Sequence, residues 1–178
     1  MHLGYTFASG RGDTDLLLAK FANEAAAEGL RIAGTVQINE MCADDGPCDM
    51  DVRVLPNGPA IRISQSLGRG AKGCRLDPAA LEEAVGLVSQ SLTDGLDCLI
   101  INKFGKHEAD GRGFRPVISE ALALGVPVIV GIGRLNRDAF IAFSDGLAEE
   151  IAPDSSAIKR WLDACLVERN QVVDAKTS

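Results

Sequence analysis

The sequence predicts a three-layer α/β domain built on a mainly parallel β-sheet. Two apolar runs, DCLIIN and PVIVGIG, are continuous rather than alternating, as expected of strands that are buried on both faces. They alternate along the chain with segments whose apolar residues recur at helical spacing. A length of 178 residues, 46% of them hydrophobic, suits one domain with a sizeable core. We therefore expect a single domain over residues 1–170 and a polar C-terminal tail over residues 171–178.

The first half of the chain reads as strand, helix, strand and hairpin. LGYTFA predicts the first strand, and residues 14–29 carry apolar side chains at helical spacing up to the helix stop at Gly29. RIAGTVQI follows as a second strand, and the polar, turn-rich residues 39–50 follow as a loop. DVRVL and IRISQ alternate around Asn57 and Gly58, which predicts a β-hairpin that extends one edge of the sheet.

The second half alternates helices with buried strands. Asp77 is placed to cap a helix that has Pro78 in its first turn. The strand DCLIIN, a glycine-rich connector, a helix over residues 114–124 and the strand PVIVGIG come next. Residues 136–170 predict one or two further helices. In parallel sheets of this kind, ligands bind outside the carboxyl ends of the strands, so the loops at those ends are the candidate site.

Composition and charge indicate which classes of partner and which cellular compartment to expect. The net charge of −7 disfavours nucleic-acid binding, and one Trp and one Tyr leave few aromatic side chains for stacking bases. No apolar run approaches the roughly 20 residues of a membrane span. There is no signal-peptide pattern, and the odd count of five cysteines favours reduced thiols. We expect a cytoplasmic protein without membrane or nucleic-acid partners. A homodimer is the default expectation, since two-fold dimers are the commonest oligomers.

The stretch FASGRGDTD lies where a phosphate-binding loop belongs, between the first strand and the first helix. A P-loop reads G-x-x-x-x-G-K-[ST]. Gly12 and Thr14 fit its end, but Asp13 stands at the lysine position and Phe7 at that of the first glycine. Asp13 is expected to cap the first helix and to use the N–H groups that a P-loop offers to phosphate, while repelling phosphate at close range.

Three Gly-Arg-Gly triplets lie in connectors, at residues 10–12, 68–70 and 111–113. Glycine lets a backbone approach a ligand closely, and arginine offers forked donors to oxyanions. The pattern predicts a small-anion site, although glycine also suits turns and arginine suits surfaces. The candidate ligand-binding residues are Gly10, Arg11, Gly12, Asp13, Thr14, Gln65, Arg69, Lys72, Arg75, Asn102, Lys103 and Arg112.

Three long stretches carry a family resemblance: GLRIAGTVQ, CDMDVRVLPNGPAIRISQSLGRGAKGCRLDPAALEEA and DCLIINKFGKHEADGRGFRPVISEALALGVPVIV. The chain resembles a bacterial domain family of unknown function, nucleoside-triphosphatase-like and often encoded beside molybdate-transport genes. The order of elements is also similar to that of small P-loop nucleoside triphosphatases. The resemblance implies a P-loop-NTPase-like fold, and a link to molybdate or molybdenum metabolism.

In the small P-loop nucleoside triphosphatases, the strand that corresponds to LIIN ends in an acidic pair followed by I-G-K-M-E. Gly105, Lys106 and Glu108 match that pattern here, but Asn102 and Lys103 replace the acidic pair. The P-loop lysine and the magnesium-linked carboxylate are therefore both missing, and standard Mg·ATP hydrolysis is in doubt. If the chain does hydrolyse nucleotides, Mg²⁺ is the implied cofactor and Lys106 and Glu108 are the catalytic candidates. Their alternative is a surface salt bridge.

The cysteines leave two interpretations open. Cys48 and Cys74, with Cys42 and His107, are candidates for a soft metal or redox site, but no C-x-x-C pair is present, so reduced loop or core thiols are the favoured alternative. Cys98 and Cys165 lie in apolar patterns and are expected in the core.

Three functions are compatible with these observations. The first is a protein that binds a small anion such as molybdate or phosphate, or a nucleotide, without standard catalytic residues. The second is a nucleoside triphosphatase with a rearranged site. The third is a non-catalytic assembly or regulatory partner.

Overall fold

The computed structural model describes residues 1–38, 49–65 and 75–177, with side chains up to residue 171. These residues form one seven-stranded sheet with helices on both faces. Within the described ranges, no helix is long and apolar enough to cross a membrane.

The sheet is parallel except at one edge. Its strand order is β4-β3-β2-β5-β6-β1-β7. β1, β2, β5, β6 and β7 run parallel, whereas the hairpin β3–β4 pairs antiparallel with β2 and extends the edge. This confirms the predicted mainly parallel sheet with an added hairpin. The strands are β1 (Leu3–Thr6), β2 (Ile32–Ile38), β3 (Asp51–Leu55), β4 (Ala60–Arg62), β5 (Cys98–Phe104), β6 (Val128–Ile132) and β7 (Glu149–Ile151).

The helices lie between the strands along the chain, apart from the last helix, which follows the last strand. They are α1 (Asp13–Ala27), α2 (Pro78–Ser91), α3 (Lys106–Ala109), α4 (Arg115–Ala123), α5 (Arg137–Phe143) and α6 (Ser155–Thr177), with a 3₁₀ turn at Arg134–Asn136. As predicted, Asp77 caps α2: its Oδ1 accepts hydrogen bonds from the N–H groups of Ala79 and Ala80 at 3.0 and 3.2 Å.

Two apolar layers hold the sheet between its helices. Side chains alternate along β5, with Leu99 and Ile101 in the layer beneath α2, α4 and α5, and Cys98 and Ile100 in the layer beneath α1 and α6. All four are fully buried, as a central parallel strand covered on both faces requires. The alternation of helices and buried strands therefore produces the predicted three layers.

The C-terminal region differs from the prediction in two ways. The sequence does not predict β7, because this strand has only three residues and two of them, Glu149 and Glu150, are exposed, so no apolar run marks it. It is defined by its parallel pairing with β1. In addition, α6 extends to Thr177, beyond residue 170, where the sequence predicts the helical region to end. The segment is polar but helical.

Candidate site at the carboxyl edge of the sheet

The loops that follow β1, β5 and β6 lie side by side, because these three strands are neighbours and run parallel. The edge at which parallel strands end is the usual ligand-binding edge of such sheets. β6 and β5 approach closely here, since a Cβ atom on Gly131 would overlap the carbonyl oxygen of Asn102. A second contact joins the first turn of α1 to this edge: the same Cβ would lie 3.0 Å from the methyl group of Thr14.

Helix α1 begins differently from the prediction. Its N-cap is Gly12, in the left-handed conformation with φ 82° and ψ −5°, and no side chain of the described residues caps the helix. Asp13 is the first helical residue, and its exposed carboxylate lies against Gly10 instead of bonding to the first-turn N–H groups. The expected capping role of Asp13 is therefore wrong. A side-chain cap needs an extended backbone at the N-cap position, and here a glycine occupies that position in the left-handed conformation.

The start of α1 consequently offers N–H groups at the sheet edge. The first N–H groups of a helix have no intrahelical partner, and they carry the positive end of the helix dipole. A left-handed residue followed by helical ones also turns successive N–H groups toward one concavity, an arrangement that binds anions. Asp13 N–H bonds to Gly10 O at 3.3 Å, which closes the loop into a turn. The loop after β1 therefore ends in a tight turn that leads into a helix start with a glycine N-cap.

Three side chains tie the start of α1 to the loop after β1, to β5 and, through Asn102, to β2. Thr14 Oγ1 accepts a hydrogen bond from the N–H of Ala8 at 2.9 Å. Asn102 Oδ1 accepts one from the N–H of Gln37, and Asn102 Nδ2 donates one to Asp15 Oδ1, both at 2.9 Å. Asn102 is only 4% exposed. The structure thus brings Thr14 and Asn102 to one place, and uses both of them in internal hydrogen bonds.

Three cationic side chains lie at this edge of the sheet. Lys103 extends over the end of β6, where its Cε would lie 3.9 Å from a Cβ atom on Gly133. The Arg134 guanidinium lies over the ring of Phe7, with Cζ 5.8 Å from the ring centroid. Arg11 is exposed within the loop itself. None of these three cations forms an ion pair with a residue that the structure describes.

Arg134 is a candidate that the sequence patterns do not single out, although they place the loop GIGRLN at the carboxyl edge. The Gly-Arg-Gly triplets identify other arginines, and Gly133-Arg134-Leu135 is not one of them. Arg134 could have been predicted from its position just after the buried strand β6. β6 pairs with β1, the strand that leads into the loop before α1.

The connector between β5 and α4 is held by two carboxylates. Glu108, 3% exposed, accepts hydrogen bonds from Gly105 N–H at 2.9 Å and Phe114 N–H at 3.3 Å. Glu82 of α2 bonds to His107 Nε2 at 2.8 Å and accepts from Gly113 N–H at 3.1 Å. Glu108 is therefore buried, and the expected surface salt bridge is wrong.

The other two candidates in this connector are exposed. Lys106 has no ion pair in the described part of the chain, and Arg112 approaches Asp110 at 4.0 Å. No hydrogen bond or ion pair among the described residues links either of them to the loop after β1.

Gln65 and Arg75 lie at the opposite side of the sheet. They bond to each other through Gln65 N–H to Arg75 O at 2.7 Å, beside the bridge between Ser64 and Leu76, and Arg75 pairs with Asp49 at 3.2 Å. At about 4.8 Å per strand, β4 lies roughly 24 Å from β1. The structure therefore does not bring these two residues to the loop after β1. The predicted ligands Arg69 and Lys72 lie outside the described residues.

The cysteines of the predicted metal site, Cys48 and Cys74, also lie outside the described residues, as does Cys42. His107, the fourth candidate, is bonded to Glu82. Within the described ranges, no group of three or more His, Cys, Asp and Glu side chains could hold a metal ion. Cys98 and Cys165 are buried, as predicted. Burial raises the pKa of both thiols, to about 12 for Cys165.

The sequence profile of one protein family, described as a protein of unknown function (DUF2478), matches residues 4–161. The chain belongs to this family. The match covers all seven strands except the first residue of β1, and it extends into the first turns of α6. It confirms the family resemblance that the sequence indicates.

This chain is similar to a segment of one curated protein. The molybdenum import ATP-binding protein ModC 2 of Bradyrhizobium diazoefficiens is 36% identical over 151 residues, which are 84% of this chain. The aligned segment is only 17% of that protein's length. The chain is therefore similar to a small part of a much larger protein.

Two solved structures share the fold. A human cancer-related nucleoside triphosphatase has a TM-score of 0.57 at 20% identity, over 84% of this chain and 86% of its own. THEP1 from the hyperthermophile Aquifex aeolicus has a TM-score of 0.60 at 17% identity, over 92% and 96% of the two chains. These likenesses confirm the predicted P-loop-NTPase-like fold.

Proposed function

We propose that this chain is a nucleotide-binding module that holds a phosphate group over the loop after β1. The observation that carries the proposal is the start of α1, where Gly12 is left-handed and no side chain caps the helix. Such a helix start binds phosphate through its N–H groups and its dipole. The shared fold with nucleoside triphosphatases, and the ATP-binding name of the curated relative, favour a nucleotide over a simple anion.

The cations around the loop supply the charge that the missing P-loop lysine would provide. Arg11, Lys103 and Arg134 lie at the same sheet edge as the N–H groups and have no ion-pair partner among the described residues. Arginine binds phosphate oxygens through paired hydrogen bonds, so Arg11 and Arg134 are suited to the terminal phosphate. Asp13 opposes them, because its carboxylate is exposed in the same loop.

Hydrolysis by Lys106 and Glu108 receives less support. A catalytic base has to reach the attacking water, and Glu108 is 3% exposed with two backbone N–H groups on its carboxylate. The proposal is therefore a binding function. The phosphate-binding loop lacks its lysine, and Asn102 and Lys103 replace the acidic pair at the end of β5. A role in molybdenum metabolism remains part of it, through the family resemblance and the name of the relative.

The test is a thermal-shift series with ADP, ATP, sulfate, molybdate and tungstate, followed by titration calorimetry. A ligand at about 100 times its dissociation constant stabilises a protein by ~2.7 kcal/mol. We expect ADP and ATP to raise the melting temperature, and Arg134→Ala to weaken ADP binding about tenfold, or 1.4 kcal/mol.

Arg53→Ala is the matched control, because Arg53 is exposed on β3, roughly 19 Å from β1 at the usual strand spacing. It removes the same charge and should leave ADP binding unchanged. An equal loss in both variants would mean that net charge, and not this site, governs binding. If only molybdate and tungstate raise the melting temperature, the ligand is an oxyanion and not a nucleotide. If no ligand raises the melting temperature, the assembly-partner hypothesis is favoured.

A further inference from the structure

In P-loop nucleoside triphosphatases, Mg²⁺ is held by the Ser or Thr of the loop and by an Asp at the end of a neighbouring strand. The corresponding residues here are Thr14 and Asn102. Whether these two side chains fit a magnesium ion can be judged from their hydrogen bonds. Mg²⁺ takes oxygen ligands in a near-ideal octahedron, usually with one or two carboxylates among them.

The hydrogen bonds of Thr14 and Asn102 do not fit this requirement. Thr14 Oγ1 already accepts the N–H of Ala8 at 2.9 Å. Asn102 Oδ1, the only oxygen of its side chain, accepts the N–H of Gln37 at 2.9 Å. An amide oxygen that accepts a backbone N–H inside the protein has no charge and little freedom to turn toward an ion.

The carboxylate that contacts Asn102, that of Asp15, is also in use. Asp15 Oδ1 accepts the amide N–H of Asn102 at 2.9 Å, so an NH₂ group with a partial positive charge faces it. In a standard site, a second carboxylate at this position would attract a cation. Here Asn102 and Asp15 are hydrogen-bonded to each other, and Asn102 is held by burial, with 4% exposure.

We infer that this chain binds its phosphate ligand without a divalent cation, and that Asn102 sets this preference as a positioning residue. The inference rests on the proposed function. A standard site uses a lysine and a Mg²⁺ ion, which together carry three positive charges. Arg11, Lys103 and Arg134 supply the same number as fixed side-chain charges at the sheet edge. The ligand class is therefore an uncomplexed nucleotide phosphate.

The experiment is calorimetric titration of the chain with ADP, once in EDTA and once in excess Mg²⁺. We expect binding in EDTA, and an equal or lower affinity in Mg²⁺, because the metal neutralises the phosphate charge that the arginines attract. Asn102→Asp places a carboxylate beside that of Asp15, and we expect its ADP affinity to rise about tenfold on adding Mg²⁺. Mn²⁺ titration followed by electron paramagnetic resonance gives a second readout, with Mn²⁺ binding expected only for the variant.

Two carboxylates at this distance can also destabilise the variant. The double change Asn102→Asp with Asp15→Asn keeps one amide and one carboxylate, and it tests the same position in a folded protein. Wild-type binding of ADP that requires Mg²⁺ would overturn the inference while leaving the proposed function intact. If both the single and the double variant fold and neither responds to metal, the role of Asn102 is overturned. No binding of ADP in either buffer would overturn the proposed function, and the inference with it.

Discussion

Asp13 and Asp77 both stand at the start of a helix, but their side chains do different things. Asp77 has an extended backbone, with φ −90° and ψ 104°, and its Oδ1 accepts two N–H groups of α2. Asp13 is already the first residue of α1, so its carboxylate does not bond to the N–H groups of the residues that follow it. The carboxylate lies against Gly10 instead. The same residue type thus caps one helix and leaves the other without a side-chain cap.

This difference gives a residue-scale prediction on stability. Asp77→Ala should lower the free energy of unfolding by about 1 kcal/mol, the usual cost of losing a side-chain cap. Asp13→Ala should lower it by less than ~0.5 kcal/mol, because only a favourable charge near the helix start is lost. Urea denaturation of the two variants beside wild type is the measurement. A loss from Asp13→Ala as large as that from Asp77→Ala would contradict the open helix start.

The same pair separates stability from binding. Removing the Asp13 carboxylate takes a negative charge away from the loop, so Asp13→Ala should bind ADP more tightly than wild type, by several-fold at low salt. Asp77→Ala should leave ADP affinity unchanged, because Asp77 caps a helix that starts near the hairpin edge of the sheet. Calorimetry at two salt concentrations checks both points, and weaker binding by Asp13→Ala would show that the carboxylate helps to hold the ligand.

At the scale of elements, a half-buried carboxylate joins the strand β5 to the long helix α6. Asp97 accepts hydrogen bonds from Arg31 N–H at 2.9 Å, from the Arg31 guanidinium and from Arg169 Nη2 at 3.1 Å. Burial alone would raise the pKa of Asp97, but hydrogen bonds and charge from Arg31, with a hydrogen bond from Arg169, outweigh it and hold the pKa below its usual value. The ionised carboxylate therefore stabilises the fold.

The pH dependence follows from the sign of that shift. A carboxyl whose pKa is lower in the folded state stabilises the protein above the unfolded pKa of about 3.9, and this contribution is lost as the pH falls through the folded pKa. Asp97→Asn should therefore cost about 2 kcal/mol at neutral pH, and the difference from wild type should shrink below about pH 4. Urea unfolding across pH measures this. Asp94→Asn is the control, and a difference that stayed constant down to about pH 2 would contradict the assignment.

The elements also show which parts of the fold the sequence predicts. Long segments such as β5, β6 and α1 can be predicted from the sequence. Burial on two faces requires a continuous apolar run, and burial of one helical face requires apolar residues at helical spacing. β7 leaves none, since its three residues are held by backbone pairing with β1. The first turn of α1 is ambiguous for a related reason: Gly12 and Asp13 are both good N-cap residues, and only the backbone angles decide between them. The bonds of Asn102 and the position of Arg134 depend on contacts between distant parts of the chain, which no local pattern encodes.

On the scale of the whole molecule, the candidate cations fall into separate regions. Arg11, Lys103 and Arg134 belong to the edge where β1, β5 and β6 end. Arg75 belongs with Asp49 and the hairpin, at the far side of the sheet. The proposed function uses the first region alone, so ligand binding should leave a signature at one edge of the sheet.

Hydrogen–deuterium exchange with saturating ADP tests this arrangement. We expect slower exchange in residues 7–16 and 133–136, because bound phosphate would take up the N–H groups of the loop and the first turn of α1 and order the Arg134 turn. The hairpin β3–β4 should exchange at an unchanged rate and serves as the internal control, since it lies at the opposite side of the sheet from β1. Protection centred on residues 60–65 and 75–77 would move the site to the hairpin edge and to Arg75. Protection centred on residues 105–114 would instead place the ligand at the connector between β5 and α4, beside Lys106, Glu108 and Arg112.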